Sequence, residues 1–380
     1  MKTLYLVISC VACLFCKAQQ KENLYRTLQQ IADDFTNKGL PGLVVSVRQN
    51  NNEQTISAGY ADLEKGRLMT ADNQLMVASV TKMFVAVITL KLAEQGRLSL
   101  YQPITMLKCG HLFKNIANAD KITINHLLNH TSGLPDFIKH PAFFLNVLNT
   151  PAHNWKQADL IKFLQKQKPL FNPGEKGVYS NSNFLLLTII LDNELGEKVK
   201  HHHLLKDLIF EPLQLNNTFY SENRQVPQLA AKGYAELYND KRLINLIDFN
   251  TGGSGNGYSG VYSTAGDLQK FFKALFIERT LLSDSSLKEM AQFIDDAEDK
   301  EVSFGLGVWK DFKQYGEDRT AIGHRGRDIA YTADVWWFPK QSLSLVVLSN
   351  CGAVMNCQTT TLYKAFRKQL LELLLNIKES

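Results

Sequence analysis

A serine and a lysine, Ser79 and Lys82, stand at the entrance to an almost wholly apolar segment of the sequence. Residues three positions apart lie on one face of a helix, about one turn from each other. The segment that follows, residues 85–93, is apolar on nearly every side and predicts a buried helix. We therefore expect Ser79 in the first turn of a core helix, where free backbone N–H groups favour a developing negative charge.

An apolar enclosure would lower the pKa of Lys82 and allow its amine to take the proton of the Ser79 hydroxyl. The Ser-x-x-Lys pattern is loose, however, since a second copy runs from Ser285 to Lys288 in a polar stretch. By itself such a pair is more often a structural coincidence than a catalytic one. Its interpretation depends on two further motifs downstream.

The N-terminus has the pattern of an export signal. Lys2 supplies a positive charge, and residues 3–15 form an apolar run that is too short to span a bilayer. Ala18 suits a cleavage site, so residues 1–18 are predicted to be a signal peptide and the protein to be periplasmic or secreted. A lipoprotein signal at Cys10 is the lesser alternative, because the apolar run before it is short. No transmembrane span is predicted after removal of the signal.

Composition excludes several classes of protein. The chain has 380 residues, 45% of them hydrophobic, which suffices for one large core or two coupled ones. Its formal net charge of +5 is spread along the chain, so no nucleic-acid surface is indicated. Outside the predicted signal the cysteines are Cys109, Cys351 and Cys357, an odd number that gives no disulfide framework. Cys351 and Cys357 could pair in an oxidising compartment.

Predicted strands lie towards both ends of the chain, with helices and loops between them. Residues 42–48 and 54–60 form a strand pair, and four short strands follow residue 300, one of which is predicted to end at Gly323. We expect a mixed α/β (α+β) fold, in which one antiparallel sheet of about five strands is built from both termini and flanked by helices. The predicted boundaries are 19–95 with 283–380 for the sheet domain and 96–282 for an inserted helical domain, with the active site between them.

Two motifs downstream of Ser79 change the interpretation: Tyr179 to Asn181 (Tyr-Ser-Asn) and His324 to Gly326 (His-Arg-Gly). Together with Ser-x-x-Lys they resemble, in order and separation, the three motifs of the serine β-lactamase/penicillin-binding superfamily. The resemblance is to the class C β-lactamase-related branch, with its D-alanyl-D-alanine carboxypeptidases and esterases, and runs from about Leu24 to about Leu374. Further matching stretches are 130–135, 173–174, 263–268 and 304–308.

The resemblance implies a serine hydrolase that cleaves an amide or ester bond through an acyl-serine intermediate. Ser79 would be the nucleophile, and Lys82 and Tyr179 would share the proton transfers. Tyr179 would need a pKa depressed by nearby Lys82 in order to act as a base. Asn181 would orient Lys82 and hold a substrate amide. No metal or organic cofactor is expected, and the implied partner is a small-molecule or peptide substrate of a monomeric enzyme.

The third motif is expected to supply substrate contacts. The backbone N–H groups of Ser79 and Arg327 would bind the oxyanion, and His324 would support the hydrogen bonds of Tyr179, adding charge if protonated. Arg325, which precedes Gly326, stands where enzymes acting on β-lactams or D-alanyl peptides often have a hydroxyl that binds the substrate carboxylate. Arginine could clamp a carboxylate or block the pocket. β-Lactamase activity is therefore possible but not favoured.

The alternative is a catalytically weak penicillin-binding-like protein that captures a cell-wall peptide or a partner. The intact set of Ser79, Lys82 and Tyr179 argues against it, because a binder needs no activated nucleophile.

Several histidines lie outside the three motifs. Residues 201–203 point in three directions on a helix, so we expect them to be exposed and not to share a metal. His126 and His130 have the spacing of one helical turn, but without a third ligand we favour packing within the helix.

Overall fold

The computed structural model describes residues 22–50, 52–196, 199–221, 226–247 and 255–376. The predicted signal peptide, residues 1–18, lies outside these ranges. No helix within the described ranges combines the length and the hydrophobicity that crossing a membrane requires.

Helices occupy the middle of the chain and both of its described ends. The apolar segment after Ser79 forms a helix that is buried on nearly every side, as the sequence predicts. The α-helices are α1 (22–37), α2 (Thr81–Glu94), α3 (Ile124–Leu128), α4 (Pro141–Asn149), α5 (Gln157–Leu160), α6 (Asn181–Glu194), α7 (His201–Leu205), α8 (Ala265–Phe272), α9 (Asp284–Met290) and α10 (Gln358–Leu375). Helices α7 and α8 continue into π-helical turns at Lys206–Phe210 and Lys273–Ile277. Short 3₁₀ turns lie at Ala78–Val80, Ile104–Met106, Gly110–Phe113, Phe137–Lys139, Ile161–Phe163, Lys313–Tyr315, Glu317–Arg319 and Pro339–Gln341.

The strands form one large sheet and two small ones. The strands are β1 (Gly42–Gln49), β2 (Asn52–Asp62), β3 (Arg67–Leu68), β4 (Leu75–Met76), β5 (Phe219–Tyr220), β6 (Tyr234–Ala235), β7 (Ile244–Asn245), β8 (Val261–Ser263), β9 (Ile294–Asp295), β10 (Ser303–Phe304), β11 (Trp309–Asp311), β12 (Ala321–Arg327), β13 (Thr332–Phe338) and β14 (Leu343–Ser349). The small sheets have the orders β4-β8-β5 and β6-β7.

The large sheet combines both ends of the chain. Within the described residues its strand order is β3-β2-β1-β14-β13-β12-β11-β10-β9, and neighbouring strands are antiparallel. The prediction of an antiparallel sheet built from both termini and flanked by helices is confirmed, but the sheet has nine strands instead of about five. The five long strands, β2, β1, β14, β13 and β12, are contiguous, and the others have only two or three residues each.

Each face of this sheet has its own hydrophobic core, because successive side chains of a strand point to opposite faces. Val335 and Val346 belong to the cluster that includes α2, α6 and α8, on what we call the α2 face. Trp336 and Val347 belong to the cluster that includes α1 and α10, on the α10 face. The register of β12 against β13 pairs His324 with Val335, so the third motif can be assigned to faces residue by residue.

The cysteines within the described residues are free and buried. Cys351 and Cys357 therefore do not form the bond that their spacing allows. Burial is the main cause that raises the pKa of the Cys351 thiol, to about 12.

Candidate active site

Ser79 is presented by a strained turn immediately before α2. Ala78, the residue before it, has a φ of +48°, in the left-handed region that side chains with a β-carbon rarely adopt. Strand β8 holds both sides of this turn: the N–H of Val77 donates to the carbonyl of Val261 over 2.9 Å, and the N–H of Val261 donates to Thr81 Oγ1 over 3.2 Å. The position of Ser79 is therefore fixed by a hydrogen bond to β8 on each side.

Lys82 is fully buried one turn further into α2. Its Nζ lies 2.9 Å from Ser79 Oγ, 2.9 Å from Asn181 Oδ1 and 2.8 Å from the carbonyl oxygen of Tyr258. Burial lowers the Lys82 pKa well below its ordinary value, and the nearby carboxylate of Asp136 opposes this only in part. The amide and carbonyl oxygens can only accept hydrogen bonds. An uncharged amine therefore satisfies both with its N–H groups and turns its lone pair to the Ser79 hydroxyl.

Tyr179 approaches the same serine from another side. Its hydroxyl donates to Ser79 Oγ over 2.9 Å, and its ring packs between His130 and Trp309, with centroid separations of 4.5 and 5.4 Å. Burial raises the pKa of Tyr179, and the hydrogen bond to Ser79 opposes this only in part. The expected depression of the Tyr179 pKa by Lys82 is therefore wrong, because desolvation of the phenol raises that pKa. Tyr179 is therefore a hydrogen-bond donor to Ser79 in this arrangement.

Asn181 opens α6 and links Lys82 to the half-buried carboxylate of Asp136. Its Oδ1 faces Lys82, and its Nδ2 donates to Asp136 Oδ2 over 2.9 Å. Asp136 Oδ1 accepts the N–H of Ile138 over 3.2 Å, and burial raises the pKa of the Asp136 carboxyl. Of the contacts expected for Asn181, the one to Lys82 is present, and one amide hydrogen remains for a substrate.

The third motif reaches the turn that carries Ser79 through Gly326. A β-carbon on this glycine would lie 2.1 Å from the carbonyl oxygen of Val77, so only glycine allows β12 to approach so closely. His324 is fully buried, with its ring 6.3 Å from that of Tyr179, and its Nδ1 donates to the carbonyl of Arg325 over 2.5 Å. Burial lowers the pKa of His324 well below its ordinary value. The imidazole is therefore a neutral neighbour of Tyr179, and the charge that protonation would add is not expected there.

Arg325 lies on the α10 face, opposite to His324. Its Nε and one Nη bind Asp311 Oδ2 over 2.8 and 2.7 Å, and its guanidinium stacks 5.2 Å from the centre of the Trp309 ring. These contacts support neither of the two roles considered for this side chain, the carboxylate clamp and the block of the pocket. The side chain of Arg327 also turns to the α10 face, where it binds Asp334 over 2.9 Å, so only its backbone is a candidate oxyanion donor.

Two histidines outside the motifs differ from expectation. His130 lies beyond the end of α3 in a left-handed conformation, with φ of +59°, and its Nδ1 accepts the N–H of Ser180 over 3.3 Å. It therefore packs against Tyr179 instead of sharing a helix face with His126, which belongs to the capping box of Thr123. His201 is buried, so the prediction that it is exposed is wrong. The described residues contain no group of three or more His, Cys, Asp or Glu placed to hold a metal.

Sequence reasoning missed Asp136 and Tyr258. Asp136 directly follows the matching stretch 130–135, and that position was the one available signal. Tyr258 contributes a backbone carbonyl, which any residue type could supply and which therefore leaves no mark in a sequence.

Comparison with known proteins identifies the family of the chain. The sequence model of the Beta-lactamase family matches residues 24–363. Penicillin-binding protein 4* of Bacillus subtilis (strain 168) is 26% identical over 345 residues, which cover 87% of this chain and 72% of that protein.

Solved structures of similar proteins share the fold over nearly their whole length. The D-stereospecific amidohydrolase from Streptomyces sp. has a TM-score of 0.76 and 26% identity, covering 90% of this chain and 98% of the other. The D-amino acid amidase from Ochrobactrum anthropi SV3 has a TM-score of 0.78 and 24% identity, covering 92% and 99%. With a family match that spans most of the chain, the protein belongs to the beta-lactamase family, within the serine β-lactamase and penicillin-binding superfamily.

Proposed function

We propose that the protein is an exported serine hydrolase that cleaves an amide or ester bond through an acyl intermediate on Ser79. One observation carries the proposal: Ser79 Oγ lies 2.9 Å from the buried amine of Lys82 and 2.9 Å from the half-buried phenol of Tyr179. Burial shifts the pKa of both neighbours towards their uncharged forms. The serine thus has a proton acceptor on one side and a proton donor on the other.

Acylation follows from these two contacts. Lys82 takes the hydroxyl proton as Ser79 Oγ attacks the substrate carbonyl, and the amine becomes an ammonium. Tyr179 gives its proton to the departing nitrogen or oxygen when the tetrahedral intermediate collapses. The ammonium of Lys82, 5.1 Å from the centre of the Tyr179 ring, stabilises the phenolate that remains.

Deacylation restores each group to its starting state. The phenolate of Tyr179 takes a proton from water as the water oxygen attacks the acyl carbonyl. The ammonium of Lys82 returns its proton to Ser79 Oγ when the ester bond breaks. The oxyanion of both steps is assigned to the backbone N–H groups of Ser79 and Arg327, as the family resemblance implies.

The surroundings of Arg325 bear on the class of substrate. The third motif has no hydroxyl side chain at this position, and the guanidinium is already bound to Asp311. A substrate carboxylate would therefore lack the partner that it has in related enzymes. We rank a peptidase, amidase or esterase above a dedicated β-lactamase, in keeping with the amidohydrolase among its structural relatives.

A fluorescent fluorophosphonate, which traps activated serines covalently, tests the proposal. The wild type should be labelled and the Ser79→Ala variant should not. Ser285→Ala is the matched control, because it removes the exposed serine of the second Ser-x-x-Lys copy and should leave labelling intact. Absence of labelling in the wild type, with no turnover of D-alanyl peptides, β-lactams or short acyl esters, would instead favour the binding protein. Export is tested separately by the N-terminal sequence of the protein recovered from the periplasm or the medium.

A further inference from the structure

The carbonyl of Tyr258 is one of the two fixed acceptors that hold Lys82, the other being Asn181 Oδ1. The carbonyl lies in the short segment 255–260 that leads into β8. Its position decides where the Lys82 amine points. What fixes this segment therefore also fixes the proposed base.

The segment is anchored on α6 and on Tyr220. Gly257 has a φ of +80°, and a β-carbon there would lie 2.2 Å from Thr188 Cγ2 on α6, so the backbone is pressed against that helix. The N–H of Gly257 donates to the hydroxyl oxygen of Tyr220 over 2.9 Å. The carbonyl of Asn256 accepts from Thr188 Oγ1 over 3.3 Å. Backbone groups just before Tyr258 are thus held on both sides.

Tyr220 is held in turn by a buried histidine and carboxylate. Asp192 Oδ1 lies 2.8 Å from His201 Nδ1, and His201 Nε2 lies 2.9 Å from the hydroxyl of Tyr220. Burial raises the pKa of Asp192, but the hydrogen bonds from His201 more than offset this and keep the pKa below its ordinary value. The carboxylate can only accept, so Nδ1 carries a proton, and in the neutral imidazole Nε2 accepts from Tyr220. With that tautomer the donors run in one direction, from Gly257 through Tyr220 and His201 to Asp192.

This series of hydrogen bonds ends on α6, the helix that also supplies the other acceptor of Lys82. Asp192 lies in the last turns of α6, and Asn181 is the first residue of the same helix. The Oδ2 of Asp192 also accepts from Gln157 Nε2 over 2.8 Å, so each carboxylate oxygen has a donor. Helix α6 and the side chains attached to it therefore position both acceptors of the Lys82 amine.

We propose that Asp192, His201 and Tyr220 are positioning residues that fix the Tyr258 carbonyl and thereby hold the Lys82 amine against Ser79. The proposal rests on the proposed function, because it assigns these residues to the base of that reaction. Without the Tyr220 hydroxyl, the Gly257 N–H loses its acceptor and His201 Nε2 loses its partner. The backbone of segment 255–260 then becomes more mobile. The Lys82 amine then spends less time in line with Ser79.

Tyr220→Phe is the direct test, with Tyr234→Phe as matched control. The hydroxyl of Tyr234 is a buried bridge of the same kind, since it accepts the N–H of Leu63 and donates to Glu64, each over 2.8 Å. We expect the rate of fluorophosphonate labelling to fall about 10–100-fold in Tyr220→Phe, the usual cost of a misplaced catalytic group. Tyr234→Phe should stay within about twofold of the wild type.

Two further readouts separate positioning from a loss of stability. The acidic limb of the labelling rate should move to higher pH in Tyr220→Phe, because a less enclosed Lys82 holds its proton more strongly. The substitution leaves in place the titratable groups around Lys82, namely Tyr179, Tyr258, Asp136, His130 and His324. Hydrogen exchange in peptides that cover 255–260 should accelerate in Tyr220→Phe and not in Tyr234→Phe.

Variants of His201 keep the test decisive if Tyr220→Phe does not fold. Glutamine can still offer an acceptor to Tyr220 and a donor to Asp192, so His201→Gln should label faster than His201→Leu. Equal labelling rates and pH profiles in the wild type, Tyr220→Phe and His201→Leu would overturn the positioning role while the proposed function stands. A wild type that is not labelled at all would overturn the proposed function, and the positioning role with it.

Discussion

The two faces of the sheet at β12 differ in whether their ionisable groups keep their charge. On the α2 face the titratable groups are buried without a full countercharge. Burial lowers the pKa of Lys82 and of His324, and it raises the pKa of Tyr179. Burial therefore favours the uncharged form of all three groups. Lys82 and Tyr179 contact Ser79 Oγ through hydrogen bonds, and the His324 ring lies next to that of Tyr179.

On the α10 face the charges are kept and paired. Arg325 binds Asp311, Arg327 binds Asp334, and Arg367 of α10 lies 3.6 and 3.3 Å from these two carboxylates. Asp311 and Asp334 are each about 1% exposed. Burial alone would raise the pKa of Asp334, but Arg327 and Arg367 hold it at about 2.

The difference follows from the cost of burying a charge. A buried ionisable group either loses its charge or acquires a partner that compensates it. The ion pairs on the α10 face hold β12 through Arg325 and Arg327, which alternate along the strand with His324 and Gly326. Loss of charge on the α2 face leaves an amine that can accept a proton and a phenol that can donate one. Alternate side chains of β12 thus point to a structural ion network on the α10 face and to the proposed reactive site on the α2 face.

The largest expected effect comes from forcing a permanent charge onto the α2 face. Lys82→Arg keeps hydrogen-bond donors but introduces a guanidinium that stays protonated at any working pH. We expect kcat/KM to fall by about 10³-fold or more, the contribution of a positioned general base. Steady-state kinetics on an ester substrate measures this, with circular dichroism to establish that the variant is folded.

Lys91→Arg is the control, because Lys91 lies on the same helix and donates to the carbonyl of Leu281 over 2.8 Å. Its activity should stay within about twofold of the wild type. Retention of more than about a tenth of the activity by Lys82→Arg would mean that a fixed cation suffices at this position. Loss of charge on the α2 face would then not be needed for the reaction.

The second effect is one of stability and belongs to the α10 face. Asp334→Asn leaves Arg327 and Arg367 short of a countercharge in a buried place, which typically costs about 3–5 kcal/mol. Urea denaturation should show this loss, whereas Asp240→Asn, which alters an exposed pair with Arg242, should change little. A fall in kcat without a loss of stability in Asp334→Asn would show that the two faces are not separable.

The same pair predicts a dependence on pH. The folded pKa of Asp334, about 2, lies below the value of about 3.9 expected in the unfolded chain. Its ionised form therefore stabilises the fold fully above about pH 4, and this contribution is lost as the pH falls through 2. The difference in unfolding free energy between wild type and Asp334→Asn should accordingly shrink as the pH falls from about 4 towards 2. A difference that is constant over this range would show that the Asp334 carboxylate is not the origin of the stability.

The sequence predicts the α2 face better than the α10 face, and the reason is the range of the contacts. The three-residue spacing of Ser79 and Lys82 is local, and a helix turns it directly into the 2.9 Å contact. The face to which the Arg325 side chain points could be predicted only by knowing where β12 ends. The sequence predicts a strand that ends at Gly323, whereas pairing with β13 extends it to Arg327. Only then does alternation assign Arg325 to the α10 face.

The remaining misses are also contacts between distant parts of the chain. His201 is buried because Asp192 and Tyr220 enclose it, and no local pattern relates these residues. The edge strands β9 to β11 have two or three residues each, too few for an alternation pattern. The roles of Ser79 and Tyr179 and the domain boundaries after residues 95 and 282 stay predictions.

Two tyrosines, half-buried Tyr179 and buried Tyr363, sharpen the comparison of the faces. Tyr179→Phe should lower kcat/KM for an amide about 10²-fold, because the leaving nitrogen needs a proton. An activated phenyl ester, whose leaving group departs as an anion, should be affected much less. Tyr363→Phe removes a hydroxyl that donates to Asp334 over 2.7 Å on the α10 face. It should cost about 1.5–3 kcal/mol of stability and leave kcat/KM unchanged.

Steady-state kinetics on matched amide and ester substrates, with urea denaturation of both variants, measures these outcomes. Equal losses on amide and ester in Tyr179→Phe would remove the role of the phenol as proton donor to the leaving group. A loss of activity in Tyr363→Phe equal to that in Tyr179→Phe would contradict the separation of the faces.

The smallest expected effect concerns His324, which the sequence left open as a source of positive charge. Since burial lowers its pKa well below the ordinary value, His324→Asn removes no charge near neutral pH. It removes at most one neutral hydrogen bond, to the Arg325 carbonyl, so kcat/KM should fall by less than about tenfold. The pH of half-maximal activity should not move, because the lowered pKa of Lys82 governs the acidic limb and activity rises with pH through it. A shift of this limb in His324→Asn, measured against Lys91→Arg, would mean that the imidazole is charged in the working enzyme and that the α2 face compensates charge as the α10 face does.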